Sequence, residues 1–439
     1  MNRGRYDIVV IGSGIQGLSV AALLAHLGYK TLVVEKLPEI GGRFSTVEYK
    51  GYKIPTGGVW VPVAGSLRQL CDEVGAEYQV CAMPQPVYLL EGKKYRPPPK
   101  GQTRAILAQL CKSEAELSRI TNELGRATRE LPSSEISLRD WLIQYTDNER
   151  VLAFVNSLCL FFTEIHSWEA SARAFFESLS RNMNEWYVWG LPAQGGLGLM
   201  KSLARVVRGK GGDVWTSCAA KEILVAGSIA QGVIVDKDGK GEIEIAAKAV
   251  ISDTGPKETV RLAGSENFDK GYLEGVSKMM SGITFLTSIV SDRPISDDPH
   301  ITTLMTQRLM GVSEMTLLCP QLAPPGKHLY VAYAAPPSTL EPCDFRREAD
   351  LIMQDLSDNI PGFDKYGEVL HMACFRGDWP IMRNLPYLGY SAIPRKTPVD
   401  NLYNVGDGVG PFWDGGSGGP ARAARVVADD IKARIKPGA

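Results

Sequence analysis

The chain has 439 residues, which is too long for a single ordinary core and favours two domains. Hydrophobic residues make up 44% and charged residues 22%, as in soluble globular proteins. The formal net charge is -1, which excludes the strongly basic balance that attracts nucleic acid, so we expect no nucleic-acid partner.

The eight cysteines include no C-x-x-C pair, and the five histidines show no metal-binding spacing. This pattern is typical of reduced, mostly buried thiols and predicts neither a disulfide framework nor a bound metal. The N-terminal apolar run is short and ends in glycines, unlike a signal peptide. The apolar stretch 151–162 is shorter than the roughly 20 residues that span a bilayer, so we interpret it as a buried helix. We therefore expect a cytoplasmic protein.

The first elements have the order of a dinucleotide-binding unit. An apolar run at 6–11 predicts a buried strand, and a glycine-rich turn with Gly12, Gly14 and Gly17 opens a helical pattern. A second apolar strand follows at 31–34. Gly12 permits the tight turn, Gly14 lets the backbone approach a pyrophosphate, and Gly17 allows close packing of helix and strand. The segment predicts a Rossmann unit whose helix N-terminus binds a diphosphate.

Glu35 and Lys36 directly follow the second strand. A carboxylate at the position of Glu35 accepts hydrogen bonds from a ribose diol and repels a 2′-phosphate, so we expect no NADP here. We assign both residues to the cofactor site.

Two further glycine pairs favour FAD over NAD. Gly42 precedes Arg43, and Gly57 and Gly58 are followed closely by Trp60. Glycines let the main chain run close to a bulky ligand, and Arg43 supplies positive charge to the diphosphate or the flavin edge. We expect all five residues to contact the cofactor.

The middle of the chain predicts a second region of mixed structure. Apolar residues at helical spacing occupy 114–131 and 137–176, whereas 283–290 and 328–335 have strand patterns. We expect a mixed sheet flanked by helices.

The C-terminal segment supplies the other half of the predicted cofactor site. A strand at 401–405 leads into Gly406 and Asp407, and the glycine-rich loop 410–419 opens a helix at about 421–435. Asp407 is placed to accept hydrogen bonds from ribityl or ribose hydroxyls. The start of the last helix would aim backbone donors at the pyrimidine side of a flavin.

These motifs together resemble the amine oxidase/phytoene desaturase superfamily of flavoproteins. The segments 402–407 and 378–380 favour its phytoene desaturase, carotenoid isomerase and retinol saturase relatives. The resemblance implies FAD and a backbone contact from Ala220 to the adenine. The last cysteine, Cys374, lies 33 residues before Asp407, so we expect non-covalent FAD. It also implies aromatic side chains in front of the flavin and, in amine oxidases, a lysine bridged to the flavin through water. No lysine stands at 280–290, where we expect that residue to fall.

The predicted fold class is α/β, with a discontinuous Rossmann-type FAD-binding domain and an α+β substrate domain that has a mixed sheet and flanking helices. We expect the FAD-binding domain at 1–70, 190–265 and 396–439. The substrate domain is expected at 71–189 and 266–395, with the flavin at the junction of the two domains.

The candidate catalytic residues are Phe412, Trp379 and Asp414. Phe412 falls near an aromatic position of the family, and Trp379 is a candidate second wall. We also place Trp413, Asp414 and Gly415 at the flavin. The alternative for both tryptophans is ordinary packing, and that for Asp414 is a structural or solvated carboxylate.

The sequence favours an FAD-dependent desaturase or dehydrogenase that acts on a C–C bond of an apolar, isoprenoid or alicyclic substrate. Isomerase or saturase activity belongs to the same relatives. Two alternatives stay open: an amine oxidase that forms an imine and hydrogen peroxide, and an assembly factor or chaperone with a structural flavin. No second Rossmann fingerprint is present for a nicotinamide. We therefore expect electrons to pass to oxygen, a quinone or another carrier, with peripheral membrane contact if the substrate is a lipid.

Overall fold

The computed structural model describes residues 4–98, 100–182, 188–340, 342–376, 384–385, 388–389, 392–414 and 416–438. The strands, in chain order, are β1 Gly4–Ile11, β2 Thr31–Val34, β3 Thr46–Tyr49, β4 Tyr52–Pro55, β5 Val61–Pro62, β6 Val80–Ala82, β7 Val87–Leu90, β8 Lys93–Tyr95, β9 Trp189–Pro192, β10 Asp213–Trp215, β11 Cys218–Ala226, β12 Ile229–Lys237, β13 Glu242–Ser252, β14 Met280–Ser281, β15 Thr284–Ser291, β16 His300–Leu304, β17 Leu309–Glu314, β18 His328–Ala334, β19 Glu368–Phe375, β20 Asn384–Leu385 and β21 Leu402–Asn404.

The α-helices complete the element order. They are α1 Ile15–His26, α2 Ser66–Val74, α3 Gln102–Leu110, α4 Glu114–Ala127, α5 Leu138–Leu142, α6 Glu149–Thr163, α7 Ala172–Asn182, α8 Gly195–Gly209, α9 Pro256–Ala263, α10 Lys270–Ser277, α11 Met315–Leu318, α12 Phe345–Asn359, α13 Phe363–Tyr366 and α14 Pro420–Arg434. Within the described ranges, none of these helices has the length and apolar character needed to cross a bilayer.

The first large sheet has seven strands in the order β10-β2-β1-β13-β12-β11, with β21 beside β13. Strands β10, β2, β1, β13 and β21 run parallel, and the β11–β12–β13 meander is antiparallel. Helices α1, α8 and α14 cover one face in a common apolar core. This core includes Ala21 and Ala22 of α1 and Ala421, Ala424 and Ala428 of α14, whose small side chains let the helices approach closely. These elements confirm the Rossmann-type part of the predicted fold class.

The second large sheet has the order β19-β15-β18-β17-β16-β7-β8. Its pairings are antiparallel except for β16 with β7, which makes the sheet mixed as the sequence predicts. Every residue of β15 is buried, because apolar cores pack on both faces of the sheet. The carboxyl ends of β1 and β2, the loop after β21 and residues of this second sheet line a common cavity.

A helical layer formed by α3 to α7 has its own apolar core. The sequence pattern predicts helical structure at 137–176, and the structure has three helices that begin in this range. Asn148 starts α6 by accepting a hydrogen bond from the N–H of Arg150, and Glu164 ends it in the left-handed conformation (φ 61°). The buried helix expected at 151–162 lies within α6.

Candidate functional site

A cavity of about 1270 Å³ is lined by residues of both large sheets and of the helical layer. Pockets for single drug-sized ligands hold about 300–1,000 Å³, so this cavity has room for a large cofactor and a second molecule. Its wall includes these residues expected at the cofactor: Gly12, Gly14, Glu35, Lys36, Gly42, Arg43, Gly57, Gly58, Trp60, Ala220, Gly406 and Asp407. Gly17 is not among the described residues of the wall, because it lies further into α1.

The glycine turn between β1 and α1 packs against a carboxyl group that the sequence analysis did not identify. Asp253, in the loop after β13, accepts a hydrogen bond from the backbone N–H of Gly17 (2.9 Å). A β-carbon added at Gly14 would lie 2.5 Å from Oδ2 of Asp253. One added at Gly17 would lie 2.5 Å from the carbonyl oxygen of Gly12. Asp253 and the turn itself therefore require glycine at these two positions, apart from any ligand.

Glu35 closes β2 with its carboxylate facing back toward the turn. One oxygen accepts hydrogen bonds from the N–H and the hydroxyl of Ser13 (2.9 and 2.6 Å), and the other accepts from the N–H of Leu37 (2.9 Å). A carboxylate has about four acceptor positions, so capacity remains for a further donor. Ala220 and Lys36 lie in the wall of the same cavity.

Arg43 and Asp407 form an ion pair in the cavity wall (Nη2 to Oδ2, 2.9 Å). The second oxygen of Asp407 accepts from the N–H of Gly416 (2.6 Å). The N–H of Gly58 donates to the carbonyl oxygen of Arg43 (2.8 Å), and a β-carbon on Gly57 would lie 2.6 Å from the same oxygen. The Gly57–Gly58 turn thus supports the Arg43 loop, and the ion pair joins that loop to the C-terminal segment.

Asp414 occupies a buried structural position. Its oxygens accept from Nη2 of Arg395 (2.9 Å) and Nε of Arg422 (2.6 Å). Its carbonyl oxygen accepts from the side-chain amide of Gln16, whose own oxygen accepts from the N–H of Gly406. Asp414 is not among the described residues of the cavity wall, which does not agree with the expected catalytic and flavin-contacting roles of its carboxylate. The carboxylate instead ties the C-terminal loop to Arg395 and to α14, and the backbone carbonyl of Asp414 ties it to α1.

The aromatic candidates are placed differently from the expectation. Phe412 packs in the core of the helical layer and is not among the described side chains of the cavity wall, which does not agree with a position in front of a flavin. Trp379, Gly415 and the side chain of Trp413 lie outside the described part of the chain, so their assignments stay predictions.

A group of polar and aromatic side chains lines the part of the cavity next to Trp60. The ring of His300 lies edge-on to Trp60 (centroids 6.4 Å apart), and its Nδ1 is 2.6 Å from Oγ of Ser313. Burial lowers the pKa of His300 to about 4, so the imidazole is neutral at pH 7. Burial and the negative charge of Glu164 raise the pKa of the Tyr333 phenol well above its usual value. The His300 imidazole and the Tyr333 phenol are therefore uncharged hydrogen-bonding groups.

Glu164 and His166 are two residues apart, a spacing that predicts no shared helix face, and the sequence analysis left both unassigned. Both line the cavity because α6 ends at Glu164, whose N–H bonds to the carbonyl oxygen of Leu160 (2.8 Å). His166 Nε2 lies 2.8 Å from the carbonyl oxygen of Pro336, and burial lowers the pKa of its ring. No local pattern identifies Glu164, His166, His300 or Tyr333, since tertiary packing alone brings them together.

Apolar side chains cover much of the remaining wall. They include Leu152, Leu158, Leu160, Phe161, Phe162, Val188, Trp189, Leu286, Met305, Leu309 and Phe375. Of the lysines, the described wall holds Lys36 and Lys257, both beside the Rossmann sheet, whereas β15 contributes Thr284 and Leu286. In the described ranges, no group of three or more His, Cys, Asp and Glu side chains has an arrangement suited to a metal ion.

Comparison with known proteins agrees with this architecture. The family model described as flavin containing amine oxidoreductase matches residues 15–432. An uncharacterized protein of Methanocaldococcus jannaschii is 24% identical over 412 residues, covering 92% of this chain and 93% of that protein. A neurosporene-forming phytoene desaturase of Rhodobacter capsulatus is 33% identical over 116 residues, 26% of this chain and 21% of the desaturase.

Among solved structures, an oxidoreductase from Methanosarcina mazei has a TM-score of 0.83 and 27% sequence identity. The likeness covers 96% of this chain and 99% of that one. The superfamily resemblance and the predicted fold class are confirmed. The chain belongs to the flavin-containing amine oxidoreductase family and is an FAD-dependent oxidoreductase.

Proposed function

We propose that FAD binds non-covalently along the Rossmann half of the cavity. Glu35 and Ala220 would hold the adenosine, the N-terminus of α1 the diphosphate, and Asp407 the ribityl hydroxyls. The residues fit this group, since Glu35 keeps acceptor capacity and a β-carbon at Gly42 (φ 54°) would meet no atom within 4 Å. When bound, FAD supplies hydride and electron transfer, and the protein supplies orientation and a shaped pocket.

We also propose the two predicted domains as functional units. The first large sheet draws its strands from 1–70, 190–265 and 396–439, and the second from 71–189 and 266–395. On this basis the first unit holds FAD, and the second holds the substrate.

We propose that the reaction is desaturation or dehydrogenation of a C–C bond in an apolar, isoprenoid or alicyclic substrate. The observation that carries this proposal is the apolar wall of the second half of the cavity, together with lysines confined to the Rossmann side of its described part. An uncharged substrate suits the apolar part of this wall, next to the neutral His300 and Tyr333. The electrons would then pass to oxygen, a quinone or another carrier.

Desaturation removes two hydrogens from neighbouring carbons, one as a hydride to FAD and one as a proton. The carboxylate of Glu164, which lines the cavity with Trp60 and Tyr333, would receive that proton. A general base contributes about 10²–10⁴-fold to a rate, so Glu164→Gln should lower kcat by about that factor. Glu130→Gln is the matched control, because Glu130 follows α4 outside the described cavity wall with its side chain 72% exposed.

The experiment is anaerobic reduction of the bound flavin, followed by its absorbance. Apolar isoprenoid and alicyclic compounds should bleach the flavin, and Glu164→Gln should slow this bleaching while Glu130→Gln should not. If no such compound bleaches the flavin or turns over with quinone, oxygen or artificial acceptors, the desaturase proposal is wrong.

A second candidate is amine oxidation to an imine with release of hydrogen peroxide. The observation that favours it is a carboxylate, Glu164, near the aromatic rings of Trp60 and Tyr333, a combination that attracts ammonium groups. A peroxide assay over an amine panel decides between the candidates. Failure of any substrate or reductant to reduce the flavin would instead favour a structural flavin in an assembly factor.

A further inference from the structure

Asp253 is enclosed by the glycines that form the expected diphosphate site. Added β-carbons at Gly14, Gly17 and Gly406 would lie 2.5, 2.8 and 2.9 Å from its carboxyl oxygens, and one at Gly12 would lie 3.3 Å from its Cβ. The carboxyl group therefore sits where the first turn of α1 and the loop after β21 meet, and it lines the cavity.

The charges around Asp253 are mainly negative. Asp407 and Glu35 face it with carboxylates that raise its pKa, and Arg43 lowers it, as does the hydrogen bond from the N–H of Gly17. The guanidinium of Arg43 is already paired with Asp407 (2.9 Å). Burial is the largest effect and raises the pKa of Asp253 to about 7.

An ionised Asp253 and a cofactor diphosphate would compete for the same place. The carboxylate accepts the N–H of Gly17, one of the unpaired donors of the first turn of α1 that attract a diphosphate. With Asp253 ionised, three carboxylates and one guanidinium would face two further negative charges in a site of low dielectric. Protonation of Asp253 removes one of these repulsions and weakens its hydrogen bond with the N–H of Gly17.

We propose that Asp253 is a positioning residue that must be protonated before the diphosphate of FAD can bind, so that cofactor binding takes up one proton. This inference rests on the proposed FAD site and concerns how that site is filled. The same proton exchange would make retention of the cofactor sensitive to pH near neutrality.

The test is equilibrium binding of FAD to the full-length apoprotein between pH 6 and pH 8.5, followed by quenching of flavin fluorescence. For one proton and a pKa of about 7, affinity should fall about 30-fold across this range. The affinity of Asp253→Asn for FAD should change by no more than about twofold across the same pH range. Glu39→Gln is the control, because Glu39 pairs with Lys201 at the surface and its loss should leave both the affinity and its pH dependence unchanged.

Calorimetry of the wild-type protein in buffers of different ionisation enthalpy measures directly the number of protons taken up when FAD binds. At pH 8 about 0.9 proton should be taken up per FAD bound. Uptake of no proton, or an unchanged pH slope in Asp253→Asn, overturns the inference while leaving the FAD site intact. If the apoprotein binds no FAD at any pH, the proposed cofactor site itself is wrong.

Discussion

The carboxylate of Glu35 accepts three hydrogen bonds from the chain, which fix its orientation before any cofactor arrives. A hydrogen bond to a charged group contributes about 1.5–3 kcal/mol, so loss of one ribose contact should weaken FAD binding about tenfold or more. We therefore expect Glu35→Gln to raise the Kd for FAD by at least that factor in a fluorescence titration.

Glu39→Gln is the control for that measurement, because Glu39 is half exposed and pairs with Lys201 on the surface. An equal loss of affinity in both variants would contradict a specific role for Glu35.

Asp253 also predicts how stability depends on pH. Its pKa is raised from 3.8 to about 7 in the folded apoprotein, so between these values the folded state holds a proton that the unfolded state has lost. Its contribution to stability is complete below pH 3.8 and is lost as pH rises through about 7. We expect Asp253→Asn to gain stability relative to wild type between pH 4.5 and pH 8, measured by urea unfolding without FAD. A difference that does not change with pH would contradict this prediction.

At the scale of elements, the C-terminal loop depends on Asp414. This carboxylate pairs with two arginines and is itself buried, so its removal leaves positive charge in a poorly solvated place. Breaking a buried pair in this way costs about 3–5 kcal/mol. We expect Asp414→Ala to lower the free energy of urea unfolding by that amount and to weaken FAD binding, because the loop also holds Gly416 against Asp407.

The matched control for Asp414→Ala is Asp72→Ala. Asp72 pairs with Arg68 at the surface, where both side chains are about half exposed, and such pairs contribute about 0–1 kcal/mol. Similar losses of stability in the two variants would show that Asp414 is not the structural centre of the loop.

At the scale of the whole molecule, the cavity is built by both large sheets and the helical layer. A ligand that binds only the folded protein raises its stability by about 2.7 kcal/mol at 100 times its Kd. We therefore expect FAD at that ratio to shift thermal unfolding of the whole chain to higher temperature. If calorimetry resolves two transitions and FAD moves only one of them, the two sheets do not unfold together.

The sequence by itself determined the elements of the first large sheet that begin and end the chain. The strand patterns at 6–11, 31–34 and 401–405 lie at β1, β2 and β21, because a buried parallel strand has a continuous apolar run and glycines mark its turns. The family resemblance came from the motifs beside these strands, among them Gly42 with Arg43, Gly57 with Gly58, and Gly406 with Asp407. The pattern at 137–176 gave helices but not their limits, since the end of α6 depends on a left-handed residue, Glu164, that no periodicity marks.

Only the tertiary structure decided which side chains meet in the cavity. Asp253 accepts a hydrogen bond from Gly17, which is 236 residues away in the sequence. Gln16 donates one to Asp414, which is 398 residues away. Periodicity and turn propensity describe contacts within a few residues, so they carry no information on pairs at such separations. For the same reason no sequence pattern marks Glu164, His300 and Tyr333 as residues of one cavity. The position of Phe412 in the core of the helical layer likewise depends on the tertiary structure.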